Sequence, residues 1–102
     1  MEGFTVVEIN MLFALKLFTL SQRGRTPKGR KDLIDLVSLF ITDKCDTQII
    51  QDHIKKYQLQ FTLVSFAELL HDTSDLPELG LNQHRFSKVK SALKKALIFP
   101  AD

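Results

Sequence analysis

Cysteine is close to absent. Cys45 alone stands in 102 residues, so no internal disulfide can form, and no second Cys or His lies near it at a spacing that zinc would need. A reducing cytoplasm is therefore the expected compartment. Long hydrophobic runs are also missing: the most apolar stretch, Met11 to Leu20, is half the length that crosses a bilayer and holds Lys16 in its middle. Glu2 and Glu8 precede it where a secretory leader would be basic, so neither a membrane span nor export is expected. His53, His71 and His84 are scattered, and none accompanies a nucleophile in a recognisable turn. That excludes the familiar hydrolase and zinc-enzyme signatures, and the chain carries no complete catalytic centre and no metal-ligand set.

What remains suits one packed domain. With 44% hydrophobic residues, eight Phe and an average 25% of charged residues, residues 1–102 have the content of a single domain able to bury over half of its unfolded surface. Apolar periodicity divides the chain into five helices with no convincing strand, so the expected fold is an all-α bundle. The first, from Thr5 or Asn10 to Gln22, is apolar nearly all round and should lie at the centre of the core. Five helices in a chain this short leave part of such a helix uncovered, which predicts a homodimer or a stable complex. The second, about Arg30 to Thr42, follows a Thr26-Pro27 start signal and sets Leu33, Leu36, Val37, Phe40 and Ile41 on one face. Shorter helices follow near Thr47–Tyr57 and Thr62–His71. A turn-rich stretch from Asp72 to Asn82 leads to a last helix from Gln83 to Phe99.

The net charge is only +2, yet it is organised. Six of fourteen basic residues lie between Lys16 and Lys31, five more on the last helix, and nine of twelve acids fall between Asp32 and Glu78. Such basic faces attract phosphates, which makes Arg23, Arg25, Lys28, Arg30, Lys88 and Lys95 candidate nucleic-acid contacts. Asp32 and Asp35, three apart on the second helix, are surface neighbours directly after the basic loop. The wheel turns Asp35 away from the core and sets Asp32 at its margin, where it needs a cationic partner. A plainer account is that both acids stabilise a helix start, by about 0.3 to 1 kcal/mol each, and that Lys16 snorkels to the surface.

Taken in order, Leu12-Phe13-Ala14-Leu15-Lys16-Leu17, the basic loop, and Arg30-Lys31-Asp32-Leu33-Ile34-Asp35-Leu36 resemble the C-terminal helical region of minimal nucleotidyltransferases related to the AbiEii-type abortive-infection toxins. The resemblance covers about residues 6–41. It implies nucleotide binding by Lys16, Lys31, Asp32 and Asp35, with Mg and a nucleoside triphosphate held only alongside a separate catalytic segment. No Gly-Ser or Gly-Gly loop and no Asp-x-Asp or Asp-x-Glu pair is present, although two-metal transfer needs carboxylates clamping both ions. The expectation is thus an accessory or truncated helical half, inactive alone, whose partner is the catalytic segment or a second copy. A basic helical module for nucleic acid and a protein-interaction domain are the alternatives.

Overall fold

Helix α1 (Val6–Arg23) is the axis around which the other helices are laid; the computed structural model describes residues 6–42 and 45–97. Helices α2 (Pro27–Ile41), α3 (Thr47–Lys56) and α4 (Gln60–Asp72) all pack on α1, and α5 (Gln83–Leu97) closes the bundle against α3 and α2. The protein is a single all-α domain. A short 3₁₀ turn, Pro77–Leu79, joins α4 to α5, and the isolated Leu76–Leu81 bridge is the extent of β pairing among the described residues. Among the described residues no helix is long and apolar enough to cross a membrane.

Each helix buries the stripe its spacing dictates. Phe13, Leu17 and Leu20 of α1 meet Leu33, Leu36 and Val37 of α2, Ile50 and Ile54 of α3, Leu63, Phe66 and Leu70 of α4, and Phe86, Leu93 and Leu97 of α5 in one core. Helix starts are secured chemically. Asp46 accepts hydrogen bonds from the Gln48 and Ile49 amides at 2.9 and 3.3 Å, and Asn82 Oδ1 accepts from the Arg85 amide at 2.8 Å. Asn10, fully buried in α1, accepts from the Asp46 amide at 2.7 Å and so ties the entry of α3 to the central helix.

Two details depart from the sequence expectation. Helix α2 begins a full turn earlier than Arg30, because Thr26 is itself the N-cap, accepting from the Gly29 amide at 3.1 Å with Pro27 in the first turn. Leu76, expected in a turn, is fully buried and anchors the α4–α5 connection in the core. Helix α1 is left uncovered on one side, as expected of five helices in so short a chain, and there Leu15 and Phe18 face solvent. Thr5 and the Ile98–Phe99 end of the last helix lie outside the described residues.

Candidate functional site

The site region is set by the three-residue turn between α1 and α2. Gly24 adopts a left-handed φ of +58°, and its amide closes α1 on the Leu20 carbonyl at 2.8 Å. Gly29 lies so close to Gly24 that a Cβ there would collide with the Gly24 carbonyl oxygen. The two glycines therefore let α2 fold back against α1 as a tight helical hairpin.

Antiparallel packing then fixes which side chains meet. At 1.5 Å per residue, Lys16 lies about 10 Å before the end of α1 and Asp35 about 12 Å into α2, so the two stand level across the hairpin. Lys16 Nζ donates to Asp35 at 2.9 Å and lies 3.5 Å from Asp32. Arg23, two turns after Lys16, reaches Asp32 from the other side at 3.3 Å. Asp32 is only 2% exposed, against 29% for Lys16 and 45% for Arg23, so a buried carboxylate is held between two more accessible cations. The hydrogen bond from Lys16 to Asp35, and then the attraction of both carboxylates, hold the ammonium above its ordinary value against the opposing effect of its partial burial.

This arrangement corrects two expectations. Asp32 lies beyond the first turn of α2, so it cannot act as a helix-start acid; its burial is compensated by Lys16 and Arg23. Asp35 faces away from the core as the wheel sets it, but it too lies beyond the first turn, and its task is to be the nearer partner of Lys16. Lys31, assigned with them by resemblance, is on the exposed side of α2 and outside this cluster. Two cations and two carboxylates balance in charge, so a phosphate would have to displace a carboxylate to gain Lys16.

The basic loop is likewise engaged internally. Arg25 pairs with Asp72 at the end of α4, and Arg30 makes a two-pronged contact with Glu78 at 3.0 and 3.1 Å. Each arginine holds its carboxylate partner below the usual range. Lys28 remains exposed. A cleft of about 170 Å³ between this loop and α4 falls below the ~300 Å³ at which small-molecule sites begin, so it cannot enclose a nucleotide. Among the described residues no cluster of His, Cys, Asp and Glu is arranged to hold a metal ion.

Among the described residues two surfaces stand out. On one, Leu15 (55% exposed) and Phe18 (42%) of α1 adjoin Phe61 (51%) and Val64 (45%) of α4, linked by an edge-to-face contact of Phe18 with Phe61 at 6.4 Å. Half-buried Met11 and Leu12 extend it by one helical turn, and Lys16 borders it. Two half-exposed phenylalanines with a Leu and a Val make a patch on the order of 400 Å², in the range where monomer patches are often functional. The residues of α1 were legible in sequence as an excess of apolar positions. Phe61 and Val64 were not singled out; they were concealed in the apolar run of α4. The other surface is the outer side of α5, where Arg85, Lys88, Lys94 and Lys95 are exposed.

Comparison with known proteins yields no matching family model, no similar curated protein and no similar solved structure.

Proposed function

We propose that the chain is a helical protein-interaction domain whose α1–α4 face seats a second copy of itself, in a cytoplasmic setting. The observation that carries this reading is the joined Leu15, Phe18, Phe61 and Val64 surface. Its four residues, Leu15, Phe18, Phe61 and Val64, carry no charge, and at its border Lys16 is already paired with Asp35, which limits like-charge repulsion between two copies across a two-fold axis. The patch supplies an apolar centre, and the polar side chains around it complete the roughly 800 Å² per partner of a standard interface.

The test is sedimentation of the purified chain across a wide concentration range, beside the Phe18→Ser/Phe61→Ser variant. Each half-exposed ring adds about 100 Å² of buried area, or about 2.5 kcal/mol at 25 cal/mol/Å², so one substitution per copy weakens the pair by at least ~50-fold. Self-association that the double variant abolishes, with helicity unchanged, supports the reading. A monomer at every concentration refutes it.

A second reading concerns a different occupant of the same face: the catalytic segment of a nucleotidyltransferase-like assembly, to which this chain is the accessory half. It is favoured by the meeting of Lys16, Asp32 and Asp35, which belong to two separate motifs of the resemblance, beside the uncovered face. On this reading, because the charges of that cluster balance, nucleotide would bind only in the assembled form. Titration of the isolated chain with nucleoside triphosphate and Mg should therefore show no binding, and saturable binding lost in Lys16→Met would instead make the cluster a phosphate site in its own right.

A further inference from the structure

Helix α5 contains five basic residues, one histidine and no acid. Its apolar stripe, Phe86, Leu93 and Leu97, is buried in the core, and one cation of the five is used by the fold: Lys90 donates to the Leu70 and Thr73 carbonyls at 3.3 and 3.0 Å and covers the Phe86 ring. Arg85, Lys88, Lys94 and Lys95 are exposed, and none has a carboxylate within ion-pairing distance among the described residues. The contrast with the α1–α2 region is informative. There Arg23, Arg25 and Arg30 are each matched by an acid from the acidic middle of the chain. Among the described cations that make no ion pair, Lys28 and Lys31 stand on α2 and Lys55 and Lys56 at the end of α3, while α5 carries the largest group on one element; it packs on α3 and α2 rather than along the α1–α4 face.

We infer that the outer face of α5 docks on the phosphate backbone of double-stranded nucleic acid, without reading its sequence. Arg85 and Lys95 are ten residues apart, about 15 Å along the helix, which matches the rise of about four nucleotide steps of one strand. Ser91 and Ala92, both exposed, stand between the cations and let the helix backbone come close. Three of the four unmatched cations are lysines, point charges suited to phosphate rather than to the two-pronged recognition of a base edge. Apart from the single His84 imidazole in its first turn, the exposed side of α5 carries no aromatic ring, so it offers no run of platforms on which successive unpaired bases could stack, which favours a duplex over a single strand. The apolar side of α5 is committed to the core and cannot insert into a bilayer, which favours nucleic acid over an anionic membrane.

The test is binding of the full chain to a labelled duplex of about 12 base pairs, DNA and RNA in separate arms, between 50 and 200 mM salt. Four phosphate contacts predict a log–log salt slope of about −3.6, an affinity loss of about 150-fold over that range. Lys88→Gln/Lys95→Gln should halve the slope to about −1.8, while Lys28→Gln/Lys31→Gln on the α2 side should leave it unchanged. All these residues are exposed, so circular dichroism should show the same fold throughout. The inference is overturned if duplex binding is undetectable at 50 mM salt. It is overturned equally if single strands or phosphatidylserine vesicles are bound as tightly as the duplex, or if the Lys28/Lys31 variant loses as much as the α5 variant.

Discussion

Replacing Lys16 by Met should cost about 2 kcal/mol of stability, and the size follows from what the substitution leaves behind. Its contact with Asp35 is partly exposed and is worth about 0.5 kcal/mol. The larger loss comes from Asp32, 2% exposed, which would keep only Arg23 at 3.3 Å as a counter-charge. A buried pair broken outright costs about 3 to 5 kcal/mol; here one cation of two remains, so the penalty is smaller. Asp32→Asn removes the charge while keeping the shape, and it should cost about 1 kcal/mol because Lys16 retains Asp35. Once Asp32 is neutral the Lys16 substitution strands nothing. The double variant should therefore be about 1.5 kcal/mol less stable than the wild type, the Asp32→Asn cost plus the lost Asp35 contact, where simple addition gives about 3. Urea unfolding followed by circular dichroism, at unchanged m-value, measures all four corners of the cycle. Additivity within about 0.3 to 0.5 kcal/mol would show that Lys16 does not sustain the buried carboxylate, and would return it to a lysine that merely reaches the surface.

The same cluster and its hairpin give further expectations. Gly29→Ala should destabilise by about 1 to 3 kcal/mol in urea unfolding, because its Cβ meets backbone at Gly24 and not a flexible side chain; a neutral result would mean the hairpin opens without cost. Asp72 and Glu78 titrate below their ordinary values of 3.8 and 4.5 in the folded state, so their pairs with Arg25 and Arg30 add stability above those values that is lost as pH falls through the lower folded ones. Asp72→Asn/Glu78→Gln should accordingly flatten the acid limb of the stability profile below about pH 4, and an unchanged limb would contradict the pairing. Lys16, raised above 10.5, contributes with the opposite sign: its share is intact through neutral pH and is lost as pH rises through the raised value, a loss that Lys16→Met should abolish in alkaline unfolding.

The helices were legible because their apolar spacing is regular, and Leu33, Leu36 and Val37 or Phe86, Leu93 and Leu97 fall where period alone puts them. The position of Asp32 at the margin of the core was also readable from the wheel. What could not be read was its company: Lys16, Arg23 and Asp35 meet only because the Gly24–Gly29 contact sets a three-residue turn, and that register determines which levels of two antiparallel helices coincide. The pairing of Arg25 and Arg30 with Asp72 and Glu78, more than 40 residues away, depends on where α4 ends, and local pattern carries no information about that. Asn10 was hidden for a related reason. A polar residue at a helix start reads as exposed until the α3 cap is found beside it. Phe18 and Phe61 mark the limit of the periodic argument, since an apolar residue is assigned to the core whether or not the fold has another layer to cover it.

The most direct test of the interaction-domain reading is sedimentation equilibrium of the wild type and the Phe18→Ser/Phe61→Ser variant, with helicity monitored in parallel. The account predicts concentration-dependent dimers for the wild type and monomers for the equally helical variant. Wild-type protein that remains monomeric throughout, or a variant that dimerises as well as the wild type, would contradict it.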